Sequence, residues 1–269
     1  MAVYRRMDAV TAKPGMDARS ACPHVLIDLV EPSETFDVAQ WLEEAEKQEG
    51  LAVEAGTTPL YVGGTGLYLR ALTGGFADAV GRDEDLRRRL HRTAQAEGTA
   101  ALHAQLTRAD PAEAEVIHPN DEKRLIRALE ILKNSGRLAS ERRGGWKSTA
   151  AEHRIVGLRW ERDLLAERIC TRSRADAERI LEEVADVRMT GGFGLTASKA
   201  AGVREALDVL DGTVPREDFA DALAQSVRRL ARRQRTWWRS FPDIEWIDRS
   251  PGDDATDVGR RAAELLQIP

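Results

Sequence analysis

Apolar residues recur at helical spacing along most of this 269-residue chain, with polar and charged residues between them. Because residues three and four positions apart lie on the same face of a helix, this spacing predicts a mainly helical protein. The predicted helices are Asp37–Ala55, Arg82–Glu97, Gly98–Arg108, Ala112–Ile117, Asp121–Asn134, Leu164–Val187, Ala197–Leu210, Pro215–Arg239 and Asp253–Leu266. Gly136, just after a lysine-bearing turn, predicts where the fifth of these helices ends.

Short apolar runs without helical spacing are few, and they predict buried strands. These runs are His24–Leu29, Pro59–Val62, Arg154–Leu158 and Glu245–Asp248. Strands near both ends of the chain, with helices between them, favour an α/β core that carries an inserted helical lobe. We expect residues 1–77 and 151–269 to form the core, and residues 78–150 to form the lobe.

Composition and charge exclude several classes of protein. With 42% hydrophobic and 32% charged residues and no long apolar run, the chain is neither disordered nor membrane-spanning. Two cysteines without partner spacing, and an N-terminus without a secretory pattern, predict a reducing, cytoplasmic location. The five histidines show no metal-ligand spacing. A net charge of −5 argues against general nucleic-acid binding. The positions of the arginines in the sequence are therefore more informative than the net charge.

One candidate ligand site is a glycine-rich turn, in which Gly63, Gly64 and Gly66 surround Thr65 at the start of a predicted helix. A helix N-terminus offers free N–H groups and a positive dipole end, and glycines let a ligand approach the backbone. The same pattern fits a tight strand-to-helix turn without a ligand, and both interpretations stay open. A second candidate, Arg143–Thr149, lacks the glycine that a Walker A motif places before its lysine, so we predict a surface loop there.

A first basic segment begins at Asn120 or Asp121, either of which can cap the predicted helix. Lys123 and Arg127 are i, i+4 neighbours of like charge, which is unfavourable unless an anion lies between them. A phosphate backbone is one such anion. The alternative is a solvated basic face balanced by the glutamates of the same helix. The residues spaced to form a core face are Leu125, Ala128, Leu129 and Leu132.

The second basic segment, Gln225–Arg239, contains six arginines and no acidic residue. One stripe of the predicted helix carries Arg228, Arg232, Arg235 and Arg239, and a separate apolar stripe carries Phe219, Leu223, Val227 and Leu230. Like charges in a row repel one another, and Trp237 and Trp238 beside them can stack on bases or pack inward. We favour a contact with RNA or pyrophosphate, because a solvated charge run normally mixes both signs.

Six segments follow one another in the order found in a single known family. They are VYRRMDAVTAKP (Val3–Pro14), PHVLIDLVEPSETFDVAQW (Pro23–Trp41), VGGTGLYLRAL (Val62–Leu72), HPNDEKRLIRALE (His118–Glu130), AAGVRE (Ala200–Glu205) and RRQRTWWR (Arg232–Arg239). In these segments, which span nearly the whole chain, the sequence resembles the tRNA dimethylallyltransferases, also called tRNA isopentenyltransferases.

The resemblance implies a fold and an activity. The fold is an α/β core like that of the P-loop NTPases, with a helical insertion that grips the anticodon stem-loop of tRNA. The activity is transfer of a dimethylallyl group from dimethylallyl diphosphate to N6 of the adenine next to the anticodon. The resemblance further implies Mg²⁺ as cofactor and a monomeric, cytoplasmic protein without membrane contact.

The resemblance also implies which residues act. Thr65 would line the reaction channel and contact tRNA, and Gly63 and Gly64 would contact the diphosphate. The other implied tRNA contacts are Arg87, Lys123, Arg124, Leu125, Ile126, Arg127, Lys199, Gly202, Arg204, Arg232, Arg233, Gln234, Arg235, Trp237 and Arg239.

The sequence departs from the family's pattern at its start. The family opens with a strand, a P-loop and a second strand ending in Asp-Ser, whereas this sequence begins at Met1, just after the place of that pair. We therefore expect a chain cut before the P-loop and the general-base aspartate, and inactive alone. Two alternatives are a short protein that binds tRNA without modifying it, and a structural helical protein whose arginine stripe pairs with an acidic partner.

Overall fold

The computed structural model describes residues 1–74, 83–141, 153–241 and 243–268. The chain forms two compact units. The first, here called the core unit, combines Met1–Leu69 with His153–Pro269, and the second, the helical unit, is Arg70–Glu152. The predicted loop Arg143–Thr149 and the expected domain boundaries near residues 77 and 150 lie outside the described residues.

Helices make up most of both units, as the spacing of apolar residues predicts. The helices are α1 (Asp8–Thr11), α2 (Met16–Ala21), α3 (Val38–Glu54), α4 (Gly66–Gly74), α5 (Glu84–Glu97), α6 (Thr99–Ala109), α7 (Pro111–Val116), α8 (Glu122–Ser135), α9 (Arg162–Met189), α10 (Val203–Leu210), α11 (Phe219–Trp238) and α12 (Ala255–Leu266). Two 3₁₀ helices, Ala197–Lys199 and Arg216–Asp218, precede α10 and α11. Nowhere in the described ranges does a helix combine the length and apolarity needed to cross a membrane.

Local chemistry sets the ends of the helices. Asp121, not Asn120, caps α8, because its carboxylate accepts the N–H of Arg124 at 3.2 Å. Gly136 ends α8 in the left-handed conformation with φ +67°, which confirms that prediction. The predicted helix Ala197–Leu210 is wrong as one element, since the backbone reverses at Gly202 before α10 begins.

Two of the four predicted strands form, and they pair with each other. Strand β1 (Ile155–Trp160) lies parallel to β2 (Ile244–Arg249), with Ile155 opposite Ile244. The mostly helical fold with this parallel pair confirms the predicted α/β class.

The other two predicted strands are wrong. His24–Leu29 forms a loop, because Leu26 and Asp28 have left-handed backbone and only a single bridge joins Tyr4 to Val30. Pro59–Val62 pairs with no strand in the described part of the chain, and its Val62 is 88% exposed. An apolar run becomes a strand only where a neighbouring strand satisfies its N–H and C=O groups.

The core of the helical unit is a cluster of leucine, isoleucine and alanine side chains. Its buried members are Leu86, Leu90, Leu102, Leu106, Ala114, Ile117, Leu125, Ile126, Ala128, Leu129 and Ala139. The predicted core positions Leu125, Ala128 and Leu129 of α8 are therefore confirmed. Burying each large side chain is worth about 1.5–3 kcal/mol, so this cluster is the main stabilising element of the unit.

In the core unit, a glutamate from α9 caps the short helix α1. The Glu183 carboxylate accepts the N–H groups of Asp8 and Ala9 at 2.7 Å, and that of Val10 at 3.0 Å. Met7 at the N-cap provides no side-chain cap, so the distant carboxylate takes over that role. Residues near the start of the chain are thereby fixed to the C-terminal half of the core unit.

A buried lysine joins three parts of the N-terminal segment. The Lys13 side chain is 1% exposed, and its ammonium donates to the Tyr4 carbonyl at 2.6 Å, to Asp8 at 2.7 Å and to Asp28 at 2.6 Å. These contacts use all three of its donors. Lys13 and Arg19 lower the pKa of Asp28, although burial of its carboxyl, the largest influence, acts in the opposite direction.

We expect Lys13→Met to lower the free energy of unfolding by about 2–3 kcal/mol, because three charge-assisted hydrogen bonds are lost. The loss stays below that of a fully buried ion pair, since water still reaches Asp8 and Asp28. Urea denaturation followed by circular dichroism measures it. The matched control is Lys47→Met at an exposed site, for which a change within about 0.5 kcal/mol is expected. Equal midpoints for the two variants would contradict the prediction.

We expect Gly202→Ala to destabilise the protein by about 1–3 kcal/mol. The backbone there has φ +101°, and an added Cβ would lie 2.6 Å from Leu223 Cδ1. Gly50→Ala in α3 is the control, because its new Cβ meets nothing within 4 Å. That variant should stabilise the helix by about 0.5–1 kcal/mol. Thermal melts compare the two, and shifts of the same sign would refute the expected strain.

Candidate nucleic-acid interface

The glycine-rich turn lies against the C-terminal half of α11. The carbonyl of Thr65 accepts the N–H groups of Tyr68 at 3.0 Å and Leu69 at 3.2 Å, so α4 begins directly after Thr65. A Cβ on Gly64 would overlap the side chain of Gln234. A Cβ on Gly66 would lie 2.7 Å from Trp237 Cβ. Close packing of α11 therefore requires glycine at position 66. At position 64 the end of the flexible Gln234 side chain could move aside, and a Cβ on Gly63 would meet open space.

Thr65 also lines a small cavity of about 90 Å³ in the core unit. The lining residues are Met1, Val3, Tyr4, Phe36, Thr65, Tyr68 and Thr196. One part of the lining is apolar, and four of its side chains carry hydroxyl groups. A cavity of this composition suits a small, mainly apolar group that carries a polar end.

The two tyrosines keep their protons in this cavity at neutral pH. Burial raises the pKa of the Tyr4 phenol, and the neighbouring Thr196 hydroxyl and Phe36 backbone offset this only in part. Within the described chain the Tyr4 hydroxyl is buried and makes no hydrogen bond of standard geometry. Burial also raises the pKa of Tyr68 to about 12. Both phenols can therefore donate hydrogen bonds to a group in the cavity.

An aromatic cluster that sequence reasoning missed supports Tyr68. The rings of Trp41 and Tyr68 stack with centroids 4.4 Å apart, and Tyr61 lies 6.3 Å from Trp41. The Tyr61 hydroxyl donates to Glu49 at 3.0 Å, and burial followed by this carboxylate raises its pKa. The apolar spacing predicted the helix that carries Trp41, but the ring partners of Trp41 lie more than fifteen residues away in the sequence and cannot be read from spacing.

Arginines flank the part of α11 that packs against the turn. Gln234 and Trp237 approach Gly64 and Gly66, and the basic residues lie between and around them in the sequence. We call Arg232, Arg233, Arg235 and Arg239 the arginine cluster. All four are exposed, and no acidic side chain in the described ranges pairs with them.

Other basic side chains of the core unit differ in their pairing. Arg229 donates to Glu205 at 2.7 Å, and Arg228 donates to the sulfur of Cys170. Lys199 and Arg204 are exposed, and no ion pair to either is found in the described ranges. Gly202, the remaining predicted contact of this segment, is buried against Leu223. The predicted apolar stripe of α11 is confirmed at Phe219 and Leu223, whereas Leu230 is partly exposed.

The helical unit brings Arg87 and Arg127 together at one carboxylate, that of Glu130. Arg87 donates from Nε and Nη2, both at 2.8 Å, and Arg127 donates from Nη1 at 2.5 Å. The anion predicted to relieve repulsion in α8 is thus supplied, for Arg127, by the protein itself. Lys123 and Arg124 are exposed on the first turn of the helix.

Two predicted contacts in α8 need correction. The side chains of Leu125 and Ile126 are buried in the leucine-rich core of the helical unit, so a partner cannot reach them. Their place in the HPNDEKRLIRALE segment reflects packing, and only the polar positions of that segment face outward. Glu130 was weighed as an ordinary surface acid, although its spacing from Leu125 and Leu129 places it beside the core face.

The sequence profile of the IPP transferase family matches residues 2–241 of this chain. A tRNA dimethylallyltransferase 2 of Syntrophus aciditrophicus is 38% identical over 272 residues, which cover 99% of this chain and 86% of the relative. A tRNA dimethylallyltransferase of Geobacter sulfurreducens is 38% identical, with 92% of this chain and 81% of the relative covered.

A solved structure is similar over the same length. The tRNA isopentenylpyrophosphate transferase of Bacillus halodurans matches with a TM-score of 0.67 and 35% identity, covering 99% of this chain and 86% of that one. Family profile, relatives and structure agree with the resemblance read from the six sequence segments. The chain belongs to the IPP transferase family, the tRNA dimethylallyltransferases.

Proposed function

We propose that this chain is a tRNA prenyltransferase that binds the anticodon stem-loop and transfers a dimethylallyl group to N6 of the adenine next to the anticodon. The observation that carries the proposal is the packing of the arginine-bearing end of α11 on the turn that holds Thr65, which lines the cavity. Basic residues that hold the RNA backbone and a small cavity for the reacting group thereby lie within one unit. The predicted contacts Lys199 and Arg204 belong to the same unit.

Electrostatics supports RNA as the partner of the arginine cluster. Unpaired guanidinium groups on one helix repel each other, and a phosphate backbone relieves that repulsion while releasing counterions. Guanidinium groups also bind phosphate bidentately, which a lysine cannot do. Trp237, partly exposed beside the cluster, offers a surface on which a base can stack.

The cavity supports the transfer step. The adenine N6 would attack C1 of dimethylallyl diphosphate, and the bond from C1 to oxygen would break. The diphosphate would leave with the bonding electrons, and the proton from N6 would pass to solvent water. Thr65 would orient the amine, and the N–H groups of Gly63 and Gly64 before α4 would contact the diphosphate. The adenine must leave its stack to reach the cavity.

Mg²⁺ and the remaining partners also belong to this proposal. In the described ranges no three His, Cys, Asp or Glu side chains lie together as a metal site. Mg²⁺ commonly binds through one or two carboxylates together with the phosphates of the substrate. No step above depends on Mg²⁺. We further propose that the helical unit is the inserted lobe that grips the stem-loop through Arg87, Lys123, Arg124 and Arg127, and that the protein acts as a monomer.

The function is tested with the full chain, an anticodon stem-loop RNA and dimethylallyl diphosphate, and with mass spectrometry of the digested RNA. RNA carrying one dimethylallyl group on adenosine is the result that the proposal requires, and it would show that the expectation of a chain inactive alone is wrong. Salt-dependent binding without transfer would identify the second candidate, a tRNA-binding protein that does not modify its partner. Absence of salt-dependent RNA binding would leave a structural protein with an acidic protein partner.

We expect Arg232→Gln combined with Arg235→Gln to weaken stem-loop binding about 10–100-fold near 0.1 M salt, and to flatten the salt dependence of the binding constant. Fluorescence anisotropy at several salt concentrations measures both effects. The matched control is Arg216→Gln with Arg260→Gln, which changes the net charge equally at arginines already paired with Glu178 and Asp257. The arginine cluster would lose its assigned role if the control weakened binding as much.

We expect Thr65→Val to slow transfer at least about tenfold while changing RNA affinity less than about twofold. The substitution keeps the shape of the side chain and removes only the hydroxyl of this cavity-lining residue. Single-turnover kinetics measures transfer, and anisotropy measures binding. The control is Thr213→Val, remote from the cavity lining, whose hydroxyl donates to the Asp208 carbonyl. An unchanged transfer rate for Thr65→Val would show that the Thr65 hydroxyl takes no part in the reaction.

A further inference from the structure

In the described part of the helical unit, Glu130 is the acidic side chain that accepts the most hydrogen bonds, and the proposed reaction does not use it. The Glu130 side chain is 0% exposed. Its Oε1 accepts the N–H of Asp83 and Arg87 Nε, both at 2.8 Å, and its Oε2 accepts Arg87 Nη2 at 2.8 Å and Arg127 Nη1 at 2.5 Å. Four donors from three residues therefore converge on one carboxylate.

Packing alone does not explain an acid at this position. Burying a carboxylate is unfavourable, and an apolar residue of similar volume would fill the space among the leucines at lower cost. The compensating groups are arginines from two different helices, α5 and α8, which lower the pKa of Glu130 to about 2 although burial, the largest influence, opposes them. The carboxylate consequently stays ionised at every physiological pH.

The arrangement fixes two cations with one anion. The Glu130 carboxylate carries one negative charge and holds two guanidinium groups, one from Arg87 and one from Arg127. The side chains of Arg87 and Arg127 remain 23% and 32% exposed, so a partner can still reach both. Without the carboxylate they would repel each other and each would sample many rotamers.

We propose that Glu130 is a positioning residue, which holds Arg87 and Arg127 as a preorganised pair for the phosphate backbone of RNA. This inference rests on the proposed function, because it assumes that the helical unit binds RNA. Glu130 itself touches no RNA. Arginines ordered during folding lose little freedom when the RNA binds, so the ordering cost does not weaken the complex.

The sign of one substitution separates this role from simple electrostatics. Glu130→Gln removes a negative charge, and charge alone would make the protein bind a polyanion more tightly. Loss of orientation predicts the opposite, a complex about tenfold weaker, because both arginines lose their shared acceptor. The expected weakening should be the same from pH 5.5 to pH 8, since Glu130 does not titrate there.

The experiment measures stem-loop affinity by anisotropy for the full chain and its variants, each verified as folded by circular dichroism. Glu122→Gln is the matched charge control in the same helix, because its partly exposed carboxylate pairs with His91 and not with an arginine. It should bind as tightly as the parent or slightly more tightly. Leu106→Val controls for loosening of the core and should leave the affinity unchanged while lowering the melting temperature.

A second variant covers the case in which Glu130→Gln does not fold. Arg87→Lys keeps the charge but cannot donate twice to the carboxylate, and it should weaken binding about threefold to tenfold.

If the parent binds and Glu130→Gln or Arg87→Lys binds equally well or better, the positioning role is overturned while RNA binding stands. Equal weakening by Leu106→Val would reduce Glu130 to a structural residue. If the parent itself shows no salt-dependent binding, the proposed function fails and the positioning role with it.

Discussion

The approach of α11 to the glycine-rich turn is the constraint on which the proposed site depends. Gly64 and Gly66 have no Cβ, and this lets Gln234 and Trp237 pack directly against the turn. The same contact fixes the arginine-bearing end of α11 on the turn that holds Thr65. A Cβ on Gly66 would lie 2.7 Å from Trp237 Cβ, so it would shift this end of α11 together with the arginine cluster. In the function that we propose, the cavity and the arginine cluster are therefore coupled through backbone packing.

Buried charges serve both units in the same way. Glu183 satisfies three backbone N–H groups, Lys13 satisfies three acceptors, and Glu130 satisfies four donors. Such groups add little net stability, because desolvation offsets much of the attraction, but an arrangement that leaves one of them unpaired is heavily penalised. They therefore select one packing of their neighbours. In each case at least one partner lies 15 or more residues away in the sequence.

The sequence predicted the features that depend on residues close together in the chain, such as helices and their caps. Helical spacing located most helices, and Asp121 and Gly136 were recognisable because capping is a local property. Pro59–Val62 was misjudged because a strand needs a partner that spacing does not show. Leu125 and Ile126 were misassigned to the RNA because a family motif mixes core and surface positions. The pairing of Arg87 with Glu130 spans 43 residues, and no periodicity could reveal it.

The split of the core unit between Met1–Leu69 and His153–Pro269 has a consequence for biosynthesis. On the ribosome, the first segment emerges long before Glu183, Gln234 and Trp237, which it needs for its final contacts. The helical unit, built from one continuous stretch with local contacts, can fold while translation continues. The nascent N-terminal segment cannot complete its fold until α11 has left the exit tunnel, and its apolar side chains stay accessible to chaperones until then.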